Sequence, residues 1–482
     1  MSNSLKKLLT EFKYLEQNSI NVKKGSIFLA YPGESNDGRK YIGEAIKKGA
    51  GAIIYDPLDF KWNTQWDLPN LPVKNLKDNI SNIASEFYNH PSKKINLIGV
   101  TGTNGKTSSV YWITQCLKHL ERKATMISTI GYGFINNLQP TLNTTPDALK
   151  IQSIINDFSF DQVQDTCIEV SSHGIKQSRV SGVDFDVRLF TNLSRDHLDY
   201  HDSIESYANT KKDFLLDAKK GTLVINIDDP LGKKIFQESK LDETQKISFG
   251  IDNACTLQAK NLVTENKRTK FDLIYQDKTI EVKASVVGKY NIYNILGLIG
   301  TLISLGHQIE DINPILKILD PVPGRAEVLE TGLDNCPKVI IDYAHTPDAL
   351  KNILDSLKSS KYKHLNIVFG CGGDRDKGKR KEMAAIVNQY ADFVVVTSDN
   401  PRNEEPKRII DDICQNLIIP NIAIEDREEA IKEVLKKADI DDLILIAGKG
   451  HETYQEIKGV RNDFSDKLIA KKYVIKFFGA EN

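Results

Sequence analysis

The pattern that most restricts the fold of this 482-residue chain is a recurring alternation: a short β-branched run, a polar cluster, then a longer amphipathic stretch. The runs are "INLIGV" (95–100), "TCIEVS" (166–171) and "VRLFTNLS" (187–194) in the middle of the chain. In the last third they are "VIIDYA" (339–344), "LNIVFG" (365–370), "DFVVVTS" (392–398) and "DLILIAG" (442–448). Near-continuous apolar runs mark strands covered on both faces, and strands spaced by a helix length pair in parallel. The pattern therefore predicts an α/β protein with largely parallel sheets and helices on both faces. Open sheets of this class bind ligands beyond the carboxyl ends of their strands, where most of the unusual polar clusters fall.

The length suits roughly three domains. Two breaks divide the chain: the polar turn "NHPSKK" (89–94) and the proline-rich stretch "LDPVPGRAEVLE" (319–330). The expected units are 1–90, 91–327 and 328–482. Lys plus Arg number 64 against 65 Asp plus Glu, so no basic excess exists to hold nucleic acid, and any anionic ligand must be gripped locally. The six cysteines are scattered without metal-ligand spacing, as expected of reduced thiols. "MSNSLKKLLTEFKY" lacks the apolar core of a leader, and no stretch approaches the ~20 apolar residues of a membrane span. The expectation is a soluble cytoplasmic protein without membrane insertion.

"INLIGV" runs into Thr101-Gly102-Thr103-Asn104-Gly105-Lys106-Thr107 and then a helix whose apolar Val110, Ile113, Cys116, Leu117 and Leu120 share one face. Glycines let the backbone wrap an anion and the helix N-terminus favours negative charge. Lys106 can reach outer phosphates and Thr107 can bind Mg²⁺. The strict GxxxxGK[ST] pattern is missed, since position 100 is Val and Gly99 falls one residue early.

Glu169 ends a strand before Ser171, Ser172 and His173, and "FTNLSRDHLDYH" places Asp196, His197, Asp199 and His201 after another. Transfer of a phosphoryl group needs cations to neutralise charge, which makes Glu169 and His197 candidates for a second metal. Lys211 and Lys212 of "YANTKKDFLL" read from composition alone as a solvated helix face.

Together "TGTNGKT", "NTTPD", "EVSSHG", "TNLSRDHLDYH", "GKYNIYN", "PGRAE", "IDYAHTPDAL", "GCGGDRDKGKR", "SDNPRNEEP" and "AGKGHE" resemble the ATP-dependent Mur ligases of peptidoglycan synthesis, in family order from about residue 19 to the C-terminus. That family uses GTNGKT, which accounts for the shifted phosphate loop. The resemblance implies three domains: an N-terminal UDP-sugar unit, a central P-loop ATPase-like unit and a Rossmann-like C-terminal unit for the incoming amino acid. It places ATP on Gly102, Thr103, Asn104, Gly105, Lys106 and Thr107, with Asn291, Asn294, Arg325, Asp342 and His345 completing the nucleotide site. It implies two Mg²⁺ ions held by Thr107, Glu169, His197 and a carbamylated Lys211, whose carbamate derives from CO₂ and turns a cation into an oxygen ligand.

The same resemblance assigns the UDP-sugar dipeptide to Ser19, Asn143, Thr144, Thr145, Ser171, Gln177 and Arg179. The DSR pattern of the family is here Asn18-Ser19-Ile20. Family members that add diaminopimelate carry DNPR where this chain has Asp399-Asn400-Pro401-Arg402, and Arg375, Gly448 and Glu452 match the other contact positions. A guanidinium fork grips a carboxylate through two charge-assisted bonds, and lysine, lacking the distal carboxylate, would leave it unpaired. "DNPRNEEP" also reads as a helix-start turn. The expected activity is ATP-dependent addition of meso-diaminopimelate to UDP-N-acetylmuramoyl-L-alanyl-D-glutamate through an acyl phosphate, by a monomer with small-molecule partners. Lysine addition and a nucleotide-binding regulator without ligase activity are the alternatives.

Overall fold

A computed structural model describes residues 2–34, 36–218, 221–265, 268–358 and 361–479. Three main sheets follow one another along the chain. The first is a four-stranded parallel sheet of Tyr14–Glu16, Ser26–Ala30, Ala50–Tyr55 and Asn70–Pro72 in sequence order. Ile27, Leu29, Ala52 and Ile54 pack on one face against Leu5, Leu9, Ile80 and Ile83, while Phe28, Ala30 and Ile53 meet Ile42 and Ala45 on the other. Ala148 and Leu149 of the following unit join the first of these cores.

The second sheet has eleven strands. Seven are mutually parallel, in the order Leu257–Glu265, Lys246–Gly250, Thr222–Asn226, Val187–Phe190, Asn96–Thr101, Asp165–Glu169 and Ala124–Ser128. Ile98 and Val100 face the core of helices Lys106–His119 and Lys289–Ser304, whereas Leu97 faces the opposite core with Ile151, Ile154 and Ile155. Burial on both faces is what the continuous apolar runs require.

Antiparallel strands extend this sheet at both edges, Gly131–Phe134 and Asn137–Gln139 at one and Arg268–Tyr275 and Lys278–Ala284 at the other. The apolar-run pattern does not reveal them. Their connections are too short for a helical crossover, and Gln276 and Asp277 (φ 49° and 60°) form a tight two-residue hairpin turn.

From Asn96–Thr101 the chain first adds Ala124–Ser128 two places to one side, fills the gap with Asp165–Glu169, then crosses to Val187–Phe190 on the other side. That reversal opens a crevice at the carboxyl end of Asn96–Thr101, where the phosphate loop begins.

The third sheet runs Glu327–Val328, Lys338–Asp342, Leu443–Ala447, Leu365–Phe369, Phe393–Val396 and Asn421–Ala423, all parallel except the first. Helices Pro347–Leu357, Gly378–Val387 and Pro406–Cys414 cover one face, and Arg427–Lys437 and Asp466–Phe478 the other. A separate hairpin joins Tyr454–Ile457 to Val460–Asp463. Among the described residues no helix is long and apolar enough to cross a membrane. All six cysteines are free thiols, Cys116, Cys167 and Cys371 buried and the others half-buried.

Candidate functional site

Two glycines make the phosphate loop possible. Gly102 (φ +147°) would bring a Cβ to 1.9 Å from Thr191 Oγ1, and Gly105 (φ +84°) to 2.2 Å from Asn294 Oδ1. The loop is held from the neighbouring strand end: Thr103 N donates to Asn192 O (2.8 Å) and Asn104 N to Asn192 Oδ1 (3.0 Å). Lys106 Nζ folds back on the carbonyls of Gly102 (3.1 Å) and Thr103 (2.8 Å). Burial pushes its pKa down.

Thr107 Oγ1 donates to Glu169 Oε2 (2.9 Å), which also accepts from Thr129 N (3.2 Å) and Thr129 Oγ1 (3.1 Å). Thr129 is a site residue that no sequence motif announces. His197 adopts φ +54° and stands with Nε2 3.3 Å from Asp196, whose other neighbour is His345 Nε2 at 3.9 Å. Burial drives the His197 pKa down to about 3, so the ring is neutral near pH 7. Burial likewise lowers His173 and His201 to about 4 each.

Lys211 is not on a solvated face. It is 1% exposed, with Nζ donating to Gly102 O (2.8 Å) and lying 4.6 Å from the centre of the Tyr207 ring. Helix Ile204–Leu216 turns this lysine inward beneath the phosphate loop, which overturns the reading from composition. Burial first and Lys106 second hold its pKa well below the ordinary lysine value. Among the described residues, no three of His, Cys, Asp and Glu cluster as a metal site.

The third sheet closes the crevice. Arg325 Nη2 donates to Thr107 Oγ1 (3.1 Å), and its guanidinium lies 4.2 Å over the Tyr343 ring. Asp342 accepts from Ala326 N (2.6 Å) and Ala344 N (2.7 Å), fixing the turn that carries His345. Asn104 Nδ2 reaches Asp348 Oδ2 (2.6 Å), and Arg195 pairs with Asp376 (2.9 Å) and Glu382 (2.7 Å). A cavity of about 590 Å³ lies between the two units. Thr103 to Thr107, Glu169, His197, Asn291, Asn294, Arg325, Asp342 and His345 line it, with Thr144 and Ser171 at another part of the wall. Sequence reasoning missed Tyr290 and Asn192, which also line it.

Beside it, Thr145 Oγ1 donates to Glu169 O (2.7 Å) and accepts from Ser171 N (2.9 Å). Arg179 Nε donates to Gln177 Oε1 (2.9 Å), and Gln177 Nε2 reaches Tyr200 OH (3.1 Å) and Glu34 (3.0 Å) on the first unit. Asn143 is exposed next to them. Ser19 is buried, with Oγ donating to Glu44 Oε2 (3.1 Å), and no hydrogen bond among the described residues joins it to this group. The nearest link is Gln17, whose Nε2 donates to Asp147 (2.7 Å).

The turn Asp399-Asn400-Pro401-Arg402 follows strand Phe393–Val396, and Gly448 to Glu452 follow Leu443–Ala447 at the same edge of the third sheet. Gly448 (φ +117°) would bring a Cβ to 2.3 Å from Asp399 Oδ2, so the two loops touch through hydrogen alone. Asn400 Nδ2 donates to Glu452 Oε2 (2.9 Å). Arg402 is half-buried, with Nη1 on Gly373 O (2.9 Å) and Nε 3.8 Å from Glu456. Arg375 crosses to the second unit, 3.3 Å from Asp199.

Three family profiles match the chain: Mur ligase family, catalytic domain (11–88), Mur ligase middle domain (100–302), and Mur ligase, glutamate ligase domain (324–450). This chain belongs to the Mur ligase family. Among its relatives are two proteins named UDP-N-acetylmuramoyl-L-alanyl-D-glutamate–2,6-diaminopimelate ligase. That of Chromobacterium violaceum is 38% identical, covering 97% of this chain and 95% of its own length. That of Pseudomonas syringae pv. tomato is 40% identical, covering 97% and 96%. A solved ligase of the same name superposes with a TM-score of 0.67 at 31% identity, covering 96% and 95%. A MurF ligase from Thermotoga maritima in complex with ADP shares the fold, with a TM-score of 0.67 at 20% identity covering 99% and 98%.

Proposed function

We propose that this chain joins meso-diaminopimelate to the D-glutamate γ-carboxylate of UDP-N-acetylmuramoyl-L-alanyl-D-glutamate, converting ATP to ADP and phosphate. Relatives at 38 and 40% identity over nearly the whole chain are named for this activity. The observation that carries the reading is the cavity in which the phosphate loop faces Arg325, Asp342 and His345 across the unit boundary. Units 1–90, 91–327 and 328–482 are assigned to the UDP-sugar, ATP and incoming amino acid in turn.

A carboxylate oxygen attacks the γ-phosphorus of ATP, the bond to the ADP oxygen breaks, and an acyl phosphate forms. The amine nitrogen then attacks the acyl carbon, phosphate leaves with that carboxylate oxygen, and the nitrogen loses its proton. Lys106 from the phosphate loop and Arg325 from across the unit boundary supply positive charge to the transferring group. The phosphate loop holds the donor, and the wall from the third sheet limits the access of water to the intermediate.

Mur ligases use ATP and Mg²⁺. The donors here fit a hard cation, since the Thr107 hydroxyl and the Glu169 carboxylate already meet at 2.9 Å. Bound Mg²⁺ would neutralise charge on the phosphoryl oxygens. Thr107 and Glu169 would hold one side of a two-ion arrangement, with His197 and a Lys211 carbamate as further ligands. The depressed pKa of Lys211 favours the neutral amine, the form that adds CO₂.

Arg402 would read the distal carboxylate of diaminopimelate and Glu452 its distal ammonium, with Arg375, Asp399, Asn400, Pro401 and Gly448 shaping that end. Asn143, Thr144, Thr145, Ser171, Gln177 and Arg179 would hold the dipeptide, and Ser19 the uridine end. The chain would work as a cytoplasmic monomer. The test of the chemistry is isotopic: with ¹⁸O in the γ-carboxylate, one label per turnover should appear in the released phosphate. Unlabelled phosphate would contradict the acyl-phosphate route.

A further inference from the structure

Lys449 is completely buried, yet it contributes to no part of the reaction above. Its Nζ donates to Asn400 Oδ1 (3.0 Å) and Glu452 Oε2 (2.8 Å), and those two side chains are bonded to each other at 2.9 Å. Asn400 Oδ1 also accepts from Glu456 N (2.9 Å), so the carboxamide is locked in one orientation. The lysine thus ties together three loops: the turn after Phe393–Val396, the loop after Leu443–Ala447, and the start of hairpin strand Tyr454–Ile457.

We infer that Lys449 is a positioning residue for amino-acid selection, holding Glu452 ionised and aimed so that its carboxylate can bind the distal ammonium of the incoming substrate. The inference rests on the diaminopimelate reading above. It is not what charge alone suggests, because a cation beside an ammonium site should repel the ligand. Burial and the neighbouring Asp399 both push the Glu452 carboxyl upward, and Lys449 opposes them. The other groups facing Glu452 are Asn400, Arg427 from helix Arg427–Lys437, Tyr343 after strand Lys338–Asp342, and Tyr454 from the hairpin. Arg427 is committed to Asp466 through two bonds of 2.8 Å, which leaves Lys449 as the cation bonded directly to Glu452. Without it, Asn400 alone would oppose that upward push, and a carboxyl shifted toward its neutral form grips an ammonium less well.

The test compares the unaltered chain with Lys449→Met, an unbranched apolar replacement. At pH 7.5 the variant should raise the KM for diaminopimelate at least about tenfold while the KM for ATP stays within about twofold. The ratio of variant to unaltered KM should fall as pH rises to 9, as Glu452 regains its charge. Combining the change with Glu452→Gln should add little to the loss from Glu452→Gln alone. A pH-independent ratio, a parallel rise in the KM for ATP, or additive losses would overturn the inference. No diaminopimelate-dependent phosphate release by the unaltered chain would overturn the parent reading and this one together. Normal release with an unchanged variant KM would overturn this one alone. Should Lys449→Met fail to fold, calorimetry on the unaltered chain in two buffers of different ionisation enthalpy decides. No net proton exchange on diaminopimelate binding at pH 7.5 supports an ionised Glu452, and release of about one proton per ligand overturns it.

Discussion

Replacing Gly105 by alanine tests the phosphate loop at its tightest point. A Cβ there would sit 2.2 Å from Asn294 Oδ1, about 1.2 Å inside ordinary contact at 3.4 Å, and would be added to a residue at φ +84°. The left-handed backbone alone costs about 1–2 kcal/mol for a residue with a Cβ. The clash must also be relieved, either by the loop or by Asn294, which is tied to Asn291 Oδ1 at 3.2 Å. Either movement displaces a group assigned to ATP by roughly 1 Å, and a misplacement of that size costs on the order of a hundredfold in rate. Steady-state ligation with ATP varied should show kcat/KM for ATP reduced by about that factor, with the KM for diaminopimelate little changed. Shortening the obstructing side chain, as Gly105→Ala with Asn294→Ala, should relieve the clash without restoring the lost Asn294 contact. A Gly105→Ala variant with kcat/KM for ATP within about twofold of the unaltered chain would refute the assignment of this loop to phosphate.

Lys211→Ala should abolish most ligation, read as phosphate release, while leaving the KM for diaminopimelate measurable; full activity would remove any carbamate role. Arg402→Ala should raise the KM for diaminopimelate by about a hundredfold with ATP affinity unchanged, and equal use of lysine by the unaltered chain would contradict the fork. Asp466→Asn leaves the fully buried Arg427 guanidinium unpaired and should destabilise the third unit by about 3–5 kcal/mol in thermal unfolding, whereas a loss below about 1 kcal/mol would contradict a charge-paired core. In metal-free protein, His173, His197 and His201 have folded pKa values near 4, 3 and 4 against 6.5 for an ordinary histidine. The unfolded chain therefore binds more protons between these limits, and stability should fall as pH drops from about 6.5 towards 4. His201→Phe should flatten that slope in melting temperature against pH.

The parallel centre of each sheet was legible because strands such as "INLIGV" and "LILIA" bury both faces and leave continuous apolar runs. The edge strands were not, because Arg268–Tyr275 alternates exposed and buried residues and pairs through a turn of Gln276 and Asp277, which lacks the usual Asn-Gly or Asp-Gly signal. The phosphate loop could be read locally, since its chemistry lies in seven consecutive residues. Lys211 could not: a lysine within a polar helical stretch looks solvated until a second chain segment, here the phosphate loop, covers it. The meeting of Asn400 with Glu452 is likewise a product of topology, for their strands end at one edge with Leu365–Phe369 between them. Thr129 reaches Glu169, 40 positions away, and Lys449 of "AGKGHE" reaches Asn400, 49 positions away, pairings that no local pattern reveals.

The central claim is amide ligation selective for diaminopimelate, and phosphate release from ATP tests it most directly. The UDP-muramoyl dipeptide is supplied throughout, with meso-diaminopimelate, L-lysine or no amine in parallel. Release with diaminopimelate alone is the predicted result. Equal release with lysine would contradict the selectivity, and release independent of any amine would contradict ligation itself.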